Sequence, residues 1–247
     1  MRRFDDNQPN QDVSSALAFS PLSAMSNAPF PKPRRGDTWT YRIDDRLRQA
    51  RFEETRRVTA LDGQTITCEQ QSNAPGYASG RWVYTREWNL ISRPALGAPG
   101  DSEDDSGRWE WTPPLPLFRF PLRADDRLAG EARVRNAVTE TSNLHRFARV
   151  IEGPVRTRLA RPGAGDATSL AADRPANGEA ILWRVRYRAR VLVEGSDPPV
   201  EWINEETYDY APFAQAVYAM SHRVRGPDGR LTRDAHSVLV RYVRAAA

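Results

Sequence analysis

The feature that most constrains this chain is a strict two-residue alternation across residues 181–193. Trp183, Val185, Tyr187, Ala189, Val191 and Val193 fall on one face, and Leu182, Arg184, Arg186, Arg188, Arg190 and Leu192 fall on the other. Successive side chains of a strand point to opposite sides, so this pattern describes a half-buried strand. A helix of 3.6 residues per turn would scatter the same residues around its circumference. The pattern recurs at residues 37–43, where Trp39, Tyr41 and Ile43 share a face. The chain carries 19 prolines along its length, which argues against long helices. The fold class expected is all-β, an antiparallel and strongly curved sheet assembly.

Turn chemistry sets the strand limits. Asp62-Gly63 predicts a two-residue hairpin with positive φ at both central positions, joining strands at 52–60 and 65–70. Gly226-Pro227-Asp228-Gly229 predicts another, between 216–224 and 231–243. Short strands are expected at 81–85 and 87–91, and a pair at 131–140 and 144–151. Residues 200–210 follow the alternating strand through a turn. Antiparallel pairing of Arg190 with Glu205 would set Arg186 against Asp209 and Tyr187 against Tyr208. Residues 93–116, with the acidic run Asp101 to Asp105, and residues 161–179 read as long loops. Residues 1–30 lack any apolar period and read as a disordered tail or weak leader. The β domain spans 31–244, with possible halves at 31–116 and 117–244.

Composition closes off several functions. Cys68 is the single cysteine, so no internal disulfide and no multi-cysteine zinc site can form. His145, His222 and His236 are spread too widely for a local metal motif. No metal site and no cofactor are expected. No apolar run approaches the roughly 20 residues of a membrane-spanning helix. Of 36 basic residues only Lys32 is a lysine, and 32 acids are interspersed among them, so the net charge of +4 makes a weak overall field. The segment 13–25 is mildly apolar but diluted by serines and broken by Pro21, so it makes no clear signal peptide.

Two stretches look related. Phe30-Pro31 leads to Gly36-Asp37-Thr38-Trp39, and Phe120-Pro121-Leu122-Arg123 leads to Asp125-Asp126-Arg127-Leu128. With Tyr41, and with Tyr208-Asp209-Tyr210-Ala211-Pro212 before Val217, these segments carry a resemblance. The chain resembles a broad group of uncharacterised bacterial cell-envelope β proteins, in which Gly-Asp-x-Trp-x-Tyr opens the first half and Phe-Pro-Leu with Gly-Asp-x-Trp opens the second. It departs from that pattern at Asp125, where the group has Gly, at Leu128, where it has Trp, and at Asp209, where an aromatic is usual. The resemblance implies a periplasmic or outer-membrane-associated location. It brings no catalytic residues with it.

Catalytic motifs are missing from the sequence. There is no Gly-x-Ser-x-Gly elbow, and Ser221 and His222 are strand neighbours that face opposite ways. Cys68 alternates with Ile66 and reads as a buried structural thiol. Glu205 and Glu206 likewise face opposite sides. The sequence therefore points to a non-catalytic envelope protein with a structural or ligand-binding role, for an apolar or lipid-like molecule. The candidate binding residues are Trp183 and Tyr187 on one face and Arg184, Arg186, Arg188 and Arg190 on the other. The alternative is an anion- or nucleic-acid-binding β module using the arginine row. Pairing with Glu201, Glu205 and Asp209 explains that row without a ligand, and the aromatics lie on the opposite face, which disfavours nucleic acid. The sequence names no protein partner.

Overall fold

The structure is a computed structural model that describes residues 27–74, 79–95, 107–159 and 178–246. Twelve antiparallel strands close into one barrel in chain order. They are β1 (Thr38–Asp45), β2 (Ala50–Leu61), β3 (Thr65–Ser72), β4 (Gly80–Thr85), β5 (Leu90–Pro94), β6 (Arg108–Leu115), β7 (Arg127–Asn136), β8 (Thr141–Arg158), β9 (Glu179–Val193), β10 (Val200–Ala211), β11 (Ala216–Arg225) and β12 (Leu231–Val243). Each strand pairs with its neighbours in sequence, and β1 pairs with β12 to close the ring. The curvature expected from the sequence thus runs to full closure, which removes every long free edge.

The alternation of β9 holds from Trp183 to Val191, while Leu182 is fully buried despite sharing parity with the arginines. Trp183, Val185, Tyr187, Ala189 and Val191 are buried inside, while Arg186, Arg188 and Arg190 stand outside. The expected β9–β10 register is off by two residues: Arg188 lies opposite Glu205, Arg184 opposite Asp209, and Tyr208 opposite Val185. A slip of two preserves every face, because the strand period is two. Charge and aromatic matching alone therefore could not choose between the two registers.

Two local expectations are corrected. Neither Asp62 nor Gly63 takes a positive φ. Instead, the Asp62 carboxylate accepts hydrogen bonds from the backbone N–H of Gln64 (2.7 Å) and Thr65 (2.6 Å) and from the Thr65 hydroxyl (2.7 Å), which holds the turn from its side chain. Residues 93–116 are not one loop, because β5 ends at Pro94 and β6 begins at Arg108. The Pro113-Pro114 pair reads as a strand breaker. Yet the β6–β7 ladder ends at Thr112 opposite Arg133, so neither proline is asked to donate a bond to β7. The acidic run Asp101 to Asp105, residues 160–177 and residues 1–26 lie outside the described residues.

The two related stretches build the same backbone knot. Gly36 N–H donates to Val58 O (2.8 Å) and Val58 N–H to Asp37 O (2.9 Å). In the second stretch, Asp125 N–H donates to Ile151 O (2.7 Å) and Ile151 N–H to Asp126 O (2.9 Å). Gly36 sits at φ +93°, and Asp125, standing where the resembled pattern has Gly, sits at φ +62°. Aspartate tolerates the left-handed region better than most residues, so Asp125 can take this conformation. The buried Asp37 carboxylate accepts from Arg34 N–H and Ala245 N–H, both at 2.8 Å, and so ties the two ends of the barrel chain together. Asp126 instead accepts from the buried Arg149 at 2.8 Å.

Candidate ligand-binding lumen

An eight-stranded barrel has an interior that side chains can just fill, and width grows roughly linearly with strand number. Twelve strands make a wider barrel than eight, and this one builds its two ends differently. Odd-numbered strands rise from a base marked by Trp39 and Tyr242, a stacked pair with centroids 5.6 Å apart. The β6–β7 connection crosses this base and inserts Phe118, Phe120 and Leu122. Phe120 meets Tyr210 edge-on at 5.1 Å, and Trp39 meets Trp88 at 5.5 Å. Trp39 Nε1–H donates to Ala214 O (2.9 Å) and Tyr41 Oη–H to Val217 O (3.0 Å). Ala28, within the segment expected to be tail, is fully buried and donates its N–H to Leu122 O (3.2 Å). The base is a packed aromatic plug.

Above it the inner wall turns polar. From β2, Arg56 stacks over Tyr41 and Trp82, 5.2 Å from each ring. Its Nη2 lies 2.8 Å from Glu54 Oε1, and its Nε–H donates to Glu54 (2.9 Å) and Gln70 (3.0 Å). Gln70 Nε2 completes the ring by donating to Glu54 Oε2 at 2.8 Å. Burial opposes the charge on Arg56, but Tyr84, Glu54 and Tyr41 outweigh it and hold the guanidinium firmly protonated. From β5, Arg93 stacks over Trp82 (5.7 Å) and Trp111 (5.8 Å). Burial, and then the charge of Arg233 on β12, lower its pKa to about 10.

From β10 and β11 come Glu206 and His222, directly paired across the ladder, with Oε1 and Nε2 3.4 Å apart. Tyr208 Oη–H donates to Glu206 in a short hydrogen bond. Burial raises the Glu206 pKa to about 7 against the pull of Arg233 and Arg93. Burial and then Arg233 and Arg93 push His222 down to about 3, and burial with Arg93 pushes His145 to about 4, so both rings are neutral near pH 7. The inward side chains of Arg56 and His222 keep 26% and 19% exposure.

Unpartnered polar atoms occur at both ends of the barrel, Trp88 Nε1 and Trp183 Nε1 at the base and both donors and acceptors above it, Asn143 Oδ1 and His145 Nδ1 among them. Trp82 Nε1, Trp111 Nε1, Tyr84 Oη and Tyr187 Oη have no hydrogen-bond partner among the described residues. Such a group left unpaired costs about 1–3 kcal/mol. Burial also raises the pKa of the Tyr84 and Tyr187 phenols, so both keep their protons.

The structure separates the candidate binding residues inferred from sequence. Trp183 belongs to the plug and Tyr187 to the lumen. The arginine row lies outside, and each member faces a carboxylate: Arg184 binds Asp209 through two bonds (2.7 and 2.9 Å), Arg186 lies 2.7 Å from Glu152, Arg188 3.5 Å from Glu205, and Arg190 3.9 Å from Glu201. Sequence reasoning missed Arg93, Arg56, Glu54 and Glu206. Arg93 stood in an expected loop, and charged residues on both faces of β2 hid Arg56 and Glu54. Glu206 had a legible signal, because it shares parity with Trp202, Tyr208 and Tyr210. Cys68 is buried beneath this wall, its pKa raised to about 12 by burial.

No protein-family model matches the chain. No curated protein matches it either. Solved structures of similar shape include a "putative lipoprotein" of Parabacteroides distasonis, 11% identical, with a TM-score of 0.49 over 87% of this chain and 99% of that one. A "putative exported protein with YmcC-like fold" of Bacteroides fragilis is also 11% identical, with a TM-score of 0.46 over 88% of this chain and 100% of that one. The hypothetical lipoprotein YmcC of Escherichia coli is 9% identical, with a TM-score of 0.37 over 87% of this chain and 86% of that one. At these levels the likeness says nothing about ligand or activity.

Proposed function

We propose that this chain is a non-catalytic binding protein whose upper barrel lumen holds a small ligand, in the cell envelope as its motif resemblance implies. The observation that carries it is that the inward wall above the aromatic base keeps partly exposed polar side chains, Arg56 and His222. Barrel mouths are a common place for small-molecule sites. The outer face supports a water-facing barrel, since Arg186, Arg188 and Arg190 are more than half exposed where a membrane barrel would carry its apolar band.

Native mass spectrometry of the purified chain tests this, together with uptake of the neutral fluorophore N-phenylnaphthylamine. A co-purified small molecule, or probe uptake, that disappears in a lumen-filling Asn204→Trp variant is the expected result. A clean unliganded mass with no probe uptake overturns the proposal.

A further inference from the structure

We infer that two copies of this chain pair edge to edge through residues 127–131 of β7, antiparallel about a twofold axis at Ala129. The pairing is independent of the lumen. It starts where barrel closure is thinnest. The β6–β7 ladder runs only from Trp109 opposite Asn136 to Thr112 opposite Arg133. β7 begins earlier, at Arg127, while β6 continues into Pro113 and Pro114, which have no N–H to give. On its other side β7 pairs with β8 along its whole length, from Arg127 opposite Val150 to Asn136 opposite Thr141. Residues 127–131 therefore form a short open edge. Every one of them is exposed, whereas Ala132, Val134 and Asn136 farther along are buried.

The ladder itself fixes which backbone groups face that edge. Ile151 N–H donates to Asp126 O (2.9 Å), so Asp126 turns its carbonyl toward β8. Antiparallel bonds alternate along a strand, and the β7–β8 register runs without a shift, so Arg127, Ala129 and Glu131 turn their N–H and C=O groups the other way. No strand among the described residues pairs with them there. Such a row is a template for another strand. The edge is also its own complement. With Ala129 on the axis, Arg127 of each copy lies opposite Glu131 of the other, and Leu128 lies opposite Gly130. Arg127 and Glu131 share the outer face, by parity with the exposed Arg133 and Arg135. Opposite charges directly across an antiparallel pair are stabilising. Arg146 lies 2.9 Å from Oε1 of Glu131, which leaves Oε2 for Arg127 of the second copy. Leu128, 38% exposed, gains cover over Gly130, where the missing Cβ leaves room beside the Phe147 ring. A second copy supplies this complement in full, and a twofold contact closes at two chains.

So short an edge buries little beside the roughly 1,200 Å² of stable complexes, so the pairing is weak and concentration-dependent. Sedimentation equilibrium of the full chain, from about 10 μM to about 1 mM, should show a monomer–dimer equilibrium. Arg127→Glu, and separately Glu131→Arg, set like charges opposite each other at both symmetry-related positions and should weaken it about tenfold or more. An equimolar mixture of these two variants should restore it, because each then meets its opposite across the axis. Ala129→Pro deletes an N–H that the barrel does not use and should abolish pairing. The outer-wall control Arg188→Glu should leave it unchanged. The two charge variants are exposed substitutions, so they keep the test valid if Ala129→Pro fails to fold. A chain that stays monomeric up to about 1 mM overturns the inference. A dimer indifferent to all three β7 variants overturns it too, by placing the contact elsewhere. Weakening in the single charge variants without recovery in their mixture overturns the antiparallel register.

Discussion

The base and the upper lumen are built from the same strands, yet they use aromatic residues in opposite ways. At the base, Phe118, Phe120 and Tyr210 pack ring against ring, as Trp39 does with Trp88 and Tyr242, and Trp183 is fully buried. In the lumen, Trp82 and Trp111 instead carry cations on their faces. One end of the barrel gains stability from burial. The other keeps charged side chains on an inward wall, a condition that folding alone would not favour. The difference teaches where stability and binding reside along one axis.

The largest expected effect lies at the base. Trp183→Ala removes a fully buried side chain and should cost about 3–5 kcal/mol in denaturant unfolding. A loss below about 1 kcal/mol would mean that the plug is not the stabilising half. Next, Glu54→Gln strips Arg56 of its counter-charge and should cost about 3 kcal/mol, since it leaves a partly buried cation. Arg93 has no such partner to lose, so Arg93→Gln should leave stability unchanged or raise it by about 1 kcal/mol. A comparable loss at both sites would erase the distinction between the two arginines.

Acid stability sharpens the same contrast. His145 titrates near 4 in the folded protein against an ordinary 6.5, because burial and Arg93 disfavour its charged form. Between those values the unfolded chain binds more protons, so stability falls as pH drops from 6.5 to 4, by up to about 3 kcal/mol. His145→Gln should lessen that fall in pH-dependent unfolding and leave the part due to His222, which titrates near 3. Glu206 acts in the opposite sense. Its folded pKa of about 7 exceeds the ordinary 4.5, so the folded state holds an extra proton and stability declines as pH rises from 4.5 to 7. Glu206→Gln should remove that decline. The smallest effect belongs to the outer wall: Arg188→Gln should change stability by no more than about 1 kcal/mol, since both partners of its ion pair are well exposed.

Much of the wall was legible because it depends on local periodicity. The inward face of β9, the inward Trp39-x-Tyr41-x-Ile43 face of β1 and the β11–β12 turn all follow from alternation and turn chemistry. The repeated Asp37 and Asp126 segments were readable as related, although their shared backbone knot needed coordinates. The lumen was much less legible. Arg93 and Arg233 lie 140 residues apart in the chain, and only closure sets β5 and β12 around one interior. Strand β6 was hidden by prolines whose missing donors matter only if a neighbouring ladder needs them.

The sequence by itself determined that the chain is antiparallel β, which residues of its clearest strands face the same way, and that a conspicuous arginine row had acidic partners at hand. Those properties depend on a two-residue period that any strand imposes on its own side chains. The tertiary structure alone decided that the sheet closes, that the β9–β10 register differs by two, and that one end is plugged while the strands carrying Arg93, Arg233 and Glu206 stand around one interior. Strand count and closure set the lumen width, and closure juxtaposes residues with no proximity in sequence.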